Sequence, residues 1–527
     1  MENNSTGPQS GARPARWSLS RRGLLKALAG LPFLAALGFS TRRKWVHESA
    51  AKDQLISGLG LKDVGSVKPP VYSPVDQTDL LRVGIIGFGW RGEDLAASLG
   101  FKHPEQTEMI RQRKKPDPWL EQPDLNVAIT GICDVFDLHA ERGLAAAGNP
   151  FVPWGERPAL PVKRYRHYRD MLNDPEIDGV IIATPDFHHA RITIEAMQAG
   201  KHVYCEKSGA RTFDEAKQVY EVVKNSRPVY QLGHQYTKNA VFSQAKEIIN
   251  KGILGDISLI ETTTNRNTAH GAWVRHLDAN GQPKPGDERS IDWDLWLGDA
   301  PGVPFSIERF YSWTKWWDYN NGLFAQLFSH EYDAINQLLR IGIPSSVVAS
   351  GGIYFWDDGR DTPDVLNCIF EYPGRKFTLK YSATLSNSRS RGRIIMGSDA
   401  SMELGSSLIV YADGDSRQFA DKIREGIIEP GMPLLANHPG SEGIDAITTA
   451  TEKYYAARGL TTTVIGGRVI DINHLHLKEW IDCIRFGGVP TSNIERFYEE
   501  AMTNQMAITS YKEKRRVEWD PVNQTIV

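Results

Sequence analysis

The chain has 527 residues, with 61 Lys and Arg against 64 Asp and Glu, for a formal net charge of −3. That length suffices for two or more domains, and the near-even charge gives no overall electrostatic basis for binding nucleic acid. No apolar run reaches the length of a membrane span. The four cysteines, Cys133, Cys205, Cys368 and Cys483, lie too far apart for a CxxC pair or metal-type spacing, and read as buried free thiols.

In chain order, Ser20-Arg21-Arg22-Gly23-Leu24-Leu25-Lys26 is a twin-arginine pattern, and residues 27–39 form a short, moderately apolar segment behind it. Segments of this type direct the export of folded proteins and stand outside the fold. Residues 1–45 are therefore set aside as a signal read by twin-arginine export machinery, with a periplasmic or otherwise exported location expected. No clean A-x-A precedes Thr41-Arg42-Arg43-Lys44, which leaves open an uncleaved segment that anchors the chain to a membrane. The alternative is a cytoplasmic protein with a basic, disordered arm. Residues 46–78 are polar and proline-bearing and read as a linker.

A dinucleotide-binding domain is expected over residues 79–235. Leu81-Arg82-Val83-Gly84-Ile85-Ile86 has the composition of a buried strand. It breaks into Gly87-Phe88-Gly89-Trp90-Arg91-Gly92, the G-x-G-x-x-G spacing, followed by the start of a helix. The first glycine permits a tight turn, the second lets backbone approach a pyrophosphate, and the third allows helix and strand to pack closely. The helix N-terminus then points free N–H groups at the phosphates. Residues 101–124 are charged and proline-rich without consistent helical or alternating order, and read as an insertion. Next comes the strand Asn126-Val127-Ala128-Ile129-Thr130-Gly131-Ile132-Cys133 ending at Asp134, placed to accept hydrogen bonds from the adenosine ribose. Its charge would repel a 2′-phosphate, which favours NAD over NADP; Asp137 is the fallback. A helix-capping role is the competing reading of Asp134.

Ile177 to Pro185, His202 to Lys207 and Pro228 to Leu232 read as further strands, alternating with helices near residues 187–200 and 214–225. That alternation argues for a parallel, doubly wound α/β sheet. The region 236–527 reads as a second domain. Strands are expected at residues 257–264, 346–350, 365–372, 376–382 and 393–397, and helices at 323–339, 476–486 and 494–511. Residues 413–465 are expected to be irregular and to cover one edge.

The glycine loop, Cys133-Asp134, Ala183-Thr184-Pro185-Asp186-Phe187-His188-His189, Ala199-Gly200-Lys201-His202-Val203-Tyr204-Cys205-Glu206-Lys207 and Gly233-His234-Gln235 together resemble the Gfo/Idh/MocA family, which includes glucose–fructose oxidoreductase and inositol dehydrogenase. The resemblance implies a Rossmann domain followed by an α/β domain with a large, mainly antiparallel sheet, whose closing helices pack back on the first domain. It implies oxidation of a sugar or cyclitol hydroxyl, or the reverse, with a bound nicotinamide dinucleotide. Thr184, Pro185, His189, Glu206 and Lys207 join the glycine loop and Asp134 as candidate cofactor contacts. Lys207 and His330 match the positions that handle the hydroxyl proton, a task needing a base and a polarising donor. A satisfied interior histidine is the competing reading of His330. Homo-oligomers are common among such relatives.

Two departures stand out. The proline expected after Lys207 is Ser208, followed by Gly209, and the aspartate often found four residues before the histidine is Gln326, which cannot take a proton at ordinary pH. Asp333, one helical turn beyond His330, is a candidate to orient it or to bind substrate. Trp313 and Trp317, in an aromatic run, are candidates for a sugar platform. Arg266, His270, Trp273 and Arg275 are candidates for the same cleft. His474 and His476 have no evident third ligand, so no metal site is expected. The reading is an exported NAD-dependent oxidoreductase acting on a carbohydrate. A glycosidase working through transient oxidation and elimination, and a non-catalytic sugar-binding protein that retains a dinucleotide, remain the alternatives.

Overall fold

The computed structural model describes residues 50–62, 64, 70–71, 80–112, 122–150, 160–268, 286–437, 462–465 and 468–527. The twin-arginine pattern and His270, Trp273 and Arg275 lie outside them. The apolar run after residue 80 is β1 (Leu81–Ile86), buried at every position but one. It lies inside a six-stranded sheet with β2 (Val127–Cys133), β3 (Lys163–Tyr165), β4 (Gly179–Ile182), β5 (His202–Cys205) and β6 (Tyr230–Leu232). The order is β3-β2-β1-β4-β5-β6, and every pairing is parallel. Strands covered on both faces read as continuous apolar runs, which is why β1, β2 and β4 to β6 were visible in the sequence, while β3, Lys-Arg-Tyr, is no such run and was not expected. The order reverses between β1 and β4, and ligands of such sheets bind at that switch point.

The helices of this unit include α1 (Trp90–Ser98), α2 (Pro104–Gln112), α3 (Asp137–Ala147), α4 (His189–Gln198) and α5 (Phe213–Lys224). The helix α2 corrects the expectation of an irregular insertion. Pro104 and Glu105 suit its first turn, and Thr107 and Ile110 supply its buried side. Residues 50–58 are also helical rather than linker, with Leu55, Ile56 and Leu59 packed on the core of the second domain.

The second domain adds α6 (Ala240–Asn250) and a ten-stranded sheet. Its strands are β7 (Ile257–Asn265), β8 (Ser346–Gly352), β9 (Val365–Tyr372), β10 (Phe377–Thr384), β11 (Arg393–Gly397), β12 (Ala400–Leu404), β13 (Leu408–Ala412) and β14 (Pro433–Asn437). A small hairpin, β15 (Thr462–Ile465) with β16 (Arg468–Asp471), stands apart, while β17 (Val517–Asp520) and β18 (Thr525–Ile526) complete the large sheet. Its order is β14-β13-β12-β11-β7-β10-β9-β8-β17-β18, antiparallel except between β7 and β10. The edge strand β14 falls in the stretch expected to be irregular, and β12 and β13 were not expected. Helices α7 (Trp293–Leu297) and α8 (Ser329–Leu339) lie between β7 and β8 in sequence.

The last two helices, α9 (Ile472–Phe486) and α10 (Ile494–Glu513), return to the first domain on opposite faces of its sheet. Leu477, Trp480 and Ile481 pack with Val83, Ile85, Ile181 and Tyr204. Phe497, Ala501 and Met502 pack with Ile86, Ile182, Cys205 and Leu232. The parallel sheet is thus clamped between the chain's own closing helices. No helix among the described residues is long and apolar enough to cross a membrane. All four cysteines are free, and Cys483 is only half-buried.

Candidate active site

Three glycines shape the turn after β1, each for its own reason. Gly87 has φ +88°, and a Cβ there would come within 2.8 Å of the Ala183 carbonyl and the Thr184 amide nitrogen. A Cβ on Gly92 would overlap the Gly87 carbonyl oxygen, so helix and turn could not pack. At Gly89 the nearest atom to such a Cβ is a His139 ring carbon, 3.8 Å away. The space over Gly89 belongs to a cleft of about 780 Å³, walled by Gly87 to Arg91, Asp134, Thr184 and Pro185. This open backbone at a helix N-terminus fits a pyrophosphate. Gly89→Ala is therefore expected to fold with an unchanged Tm but to bind NAD at least about tenfold more weakly, a loss of about 1.4 kcal/mol by titration calorimetry.

Asp134 sits at the carboxyl end of β2 as expected, but it first serves the loop. Its Oδ2 accepts from the Phe88 amide at 2.6 Å and its Oδ1 from the Phe136 amide at 2.8 Å. A carboxylate has about four acceptor positions, so capacity remains for a ribose. Asp137 is engaged elsewhere, with Arg164 and, at 3.6 Å, Arg166. Arg142, on the same wall, is matched by Glu93 at 2.6 Å. With that cation paired and the Asp134 side chain at the end of β2, the adenosine end favours NAD over its 2′-phosphate.

The roof of the cleft was not legible. It comes from α7 and the residues after it, including Trp296, Gly298, Phe310, Tyr311 and Trp313. The Trp293 and Trp296 rings stack at 4.5 Å. His188 donates from Nε2 to the Trp296 carbonyl at 2.8 Å, and burial drives its pKa down to about 4, so it ties roof to floor as a neutral ring. Of the two tryptophans proposed as a sugar platform, Trp313 lines the cleft and Trp317 does not. Trp317 packs with Phe324 and Tyr511, lies under the Lys512 ammonium and donates to the Asp361 carbonyl at 2.8 Å. Arg266 is likewise absent from the cleft wall. It lies buried just past β7, where its amide donates to the Thr384 carbonyl at 2.8 Å.

Gly92, His189, Glu206, Lys207, Gln326, His330 and Asp333 are also absent from that wall. Gly92 and Glu206 are structural: the Glu206 carboxylate receives Arg91 Nε and Nη2, each at 2.8 Å. His189 braces the wall, with one ring nitrogen 2.8 Å from the Thr184 carbonyl oxygen and the other 2.8 Å from that of Ser208. This brace steadies the turn that carries Ser208 and Gly209. The turn presents Lys207, whose Nζ donates to the Gln326 carbonyl at 3.3 Å and to its Oε1 at 3.1 Å. The Gln326 amide in turn donates to Asp186 Oδ2 at 2.5 Å. Gln326 therefore stands between an ammonium and a carboxylate, accepting from one and donating to the other.

Gln326 belongs to a π-helical turn, Phe324–Phe328, that runs straight into α8. Such turns recur at functional sites because they re-aim the side chains that follow. His330 stands in the first turn of α8, 3% exposed, and Lys207 is 7% exposed. Burial, then the nearby Lys207 and His234, hold the His330 pKa well below its usual value, so its ring is a neutral base. Its Nδ1 lies 3.3 Å from Nδ1 of His234, whose Nε2 lies 2.6 Å from Glu500 Oε2. Asp333 does not take up the His330 ring. Its Oδ2 lies 3.0 Å from the Tyr236 hydroxyl and accepts from Gln337 at 2.9 Å.

His234, Asp333 and Glu500 are the one group among the described residues with metal-ligand potential, their ligand atoms lying within 4.8 Å of one another. The 2.6 Å between His234 and Glu500 is a hydrogen bond. Two atoms bound 2.0–2.1 Å from a tetrahedral ion stand roughly 3.3 Å apart. His474 and His476 are buried apart from this group, bonded to the Ser98 and Leu232 carbonyls at 3.0 and 2.9 Å.

A second buried acid lies where α9 meets α1. Asp471 caps α9, its Oδ1 accepting from the Asn473 amide at 2.8 Å and its Oδ2 from Ser98 Oγ at 2.5 Å. Burial, then the neighbouring Asp94, raises its pKa to about 7. A carboxyl raised on folding stabilises the fold below its unfolded pKa and loses that contribution as pH rises through the folded value. Wild-type unfolding free energy should therefore fall between about pH 4 and pH 7, by at most about 4 kcal/mol. Asp471→Asn, which keeps the cap, should flatten that slope in denaturant titrations across the same window.

Residues 81–234 match the model of an oxidoreductase family with an NAD-binding Rossmann fold, and residues 238–348 match that family's C-terminal α/β domain. Together these span just over half of the chain. Levoglucosan dehydrogenase of Pseudarthrobacter phenanthrenivorans is 29% identical over 251 residues, 44% of this chain and 57% of that protein. Inositol 2-dehydrogenase of Salmonella typhimurium is 28% identical over 205 residues, 39% of this chain and 48% of that protein. The chain thus spans about half the length of the curated relatives it matches. A solved levoglucosan dehydrogenase in complex with NADH and levoglucosan superposes with a TM-score of 0.54 at 19% identity, over 83% of this chain and 99% of that one, a likeness of fold. With its glycine turn, its parallel sheet and both domains matched in order, the chain belongs to the Gfo/Idh/MocA family of oxidoreductases, whose first domain is an NAD-binding Rossmann fold.

Proposed function

We propose that this protein is an exported, NAD-dependent oxidoreductase acting on a hydroxyl-bearing carbon of a sugar, glycoside or cyclitol. The observation that carries the reading is the joining of Lys207 and the neutral His330 in one buried polar cluster, braced by His189 to the wall of the dinucleotide cleft. When bound, the nicotinamide supplies the hydride acceptor. The chain supplies the rest. Lys207 donates a hydrogen bond that polarises the reacting oxygen, and His330 takes the hydroxyl proton. Tyr311 and Trp313 offer aromatic faces at the cleft.

The roof over the cleft favours a dinucleotide that stays in place between turnovers. That keeps a redox-neutral glycosidase as the second reading, in which transient oxidation permits elimination of an aglycone. Export rests on the pattern at residues 20–26, and fractionation of the native host would place the protein. Self-association rests on the open face of the large sheet, where Val348 and Ile369 pair across β8 and β9 with both side chains exposed.

The direct test is incubation of the purified protein with levoglucosan, myo-inositol and aryl glycosides, with mass spectrometry of the released cofactor. NADH formed from a sugar supports the dehydrogenase. Aglycone released at constant NADH supports the glycosidase. A protein that binds no dinucleotide defeats both.

A further inference from the structure

In the proposed function His330 takes a proton, and the charge that comes with it needs a place. His330 is buried, and after burial the largest influences on it, Lys207, His234, Arg393 and Arg91, all disfavour its protonation. A second positive charge on that ring would be costly. Behind it stands a pair that no step of the proposed reaction uses, His234 and Glu500, on β6's exit and on α10. Their side chains are 0% and 3% exposed.

The hydrogen bonds fix the arrangement. Nδ1 of His330 faces Nδ1 of His234 at 3.3 Å, and the proposed function takes Nε2 of His330 as the base toward substrate. A neutral ring with a basic Nε2 carries its proton on Nδ1, and that N–H donates to Nδ1 of His234. His234 can accept there as a neutral ring only if its own proton is on Nε2, the atom 2.6 Å from Glu500 Oε2. The three groups thus form a directed chain ending in a carboxylate.

We propose that His234, backed by Glu500, is the store for the proton that His330 takes from the substrate hydroxyl. As the carbinol C–H electron pair leaves for the oxidised nicotinamide dinucleotide, the O–H proton bonds to His330 Nε2. The proton on His330 Nδ1 passes to His234 Nδ1. One proton has entered the chain, one positive charge has appeared on His234 beside Glu500, and His330 is neutral again in its other tautomer. Reversal returns the proton when the carbonyl is reduced. His234 and Glu500 are positioning residues, since neither touches the substrate.

The surroundings agree with this direction of transfer. Burial alone pulls His234 down, but the carboxylates of Glu500 and Asp333 outweigh it and raise its pKa, while that of His330 is lowered. The other charged or titratable neighbours are Lys207 near both rings, Arg393 paired with Glu331, Tyr236 on Asp333, and His476, itself held neutral by burial.

The inference rests on His330 being the base, so its test has one arm that needs no substrate. In the NAD-loaded protein labelled with 15N-histidine, the His330 and His234 signals are assigned by His330→Asn and His234→Asn. The expected result between pH 6 and pH 9 is a titrating His234, a neutral His330 protonated on Nδ1 above the His234 midpoint and on Nε2 below it, and a downward shift of that midpoint in Glu500→Gln. A His330 protonated on Nε2 throughout, or a His234 that ignores Glu500→Gln, overturns the store even if the enzyme is active. In the second arm, with levoglucosan, Glu500→Gln should lower kcat by roughly 10²-fold with KM within about twofold, and should displace the acid limb of the pH profile. An unchanged limb also overturns it. No turnover of any sugar by wild type, with the expected tautomers in place, would instead remove the proposed function. Should Glu500→Gln fail to fold, His234→Gln read by the same pH profile takes its place.

Discussion

Lys207→Met is expected to cut turnover by about 10²–10⁴-fold while leaving the bound dinucleotide in place. Methionine has similar reach and no charge, so the hydrogen bonds to the Gln326 carbonyl and Oε1 are lost together with the donor that polarises the substrate oxygen. The cofactor should survive because the turn that fits the pyrophosphate, Gly87 to Arg91, is separate from Lys207. Initial rates with the active sugar and mass spectrometry of the retained nucleotide check both halves. A loss below about tenfold would remove Lys207 from the chemistry.

Glu331→Ala is expected to be the most destabilising single change near the site, by about 3–5 kcal/mol. Glu331 sits beside His330 on α8 and faces Arg393 of β11, Nε to Oε2 at 2.8 Å, with side chains 1% and 0% exposed. The Arg393 guanidinium also lies over the Tyr236 and Phe242 rings, at 5.4 and 5.5 Å. Removing the carboxylate strands a buried cation that cannot lose its proton. Calorimetry should show a Tm lower by about 10 °C. The double change Glu331→Gln with Arg393→Met should recover much of that loss, because no unpaired charge remains. Equal losses in the single and double variants would mean that packing, not charge, holds this contact.

The parts of this molecule that could be read in advance are those written in local pattern. The strand at Leu81–Ile86, its glycines and Asp134 follow from apolar runs and turn chemistry within short windows. Strand β9 falls where the sequence puts it because its alternation is clean, and β11 does so on the short apolar run Ile394, Ile395 and Met396. Residues 50–58 were missed because Leu55 and Ile56 face a core that lies far along the chain, and α2 because only Thr107 and Ile110 form its buried side. The glycine- and proline-rich composition after residue 412 hid β14, whose place at the sheet edge tolerates Pro433. Trp317 and Trp313 share one aromatic run, yet only Trp313 faces the cleft, since composition carries no direction. Gln326 looked like the loss of an acid. Its neighbour across the fold, Asp186, supplies a carboxylate to the same cluster. Glu500 and His234 are 266 residues apart, and no spacing rule reaches that far.

The aromatic wall of the cleft, Trp296 with Phe310 and Trp313, bears on how fast a coenzyme exchanges. On the proposed function, a coenzyme held against these rings would exchange slowly, at a rate that stopped-flow release of NADH would measure. An oxidoreductase built this way would treat its coenzyme as a prosthetic group. It would be reset by a second organic molecule visiting the same ring, and would need no pool of free dinucleotide around it.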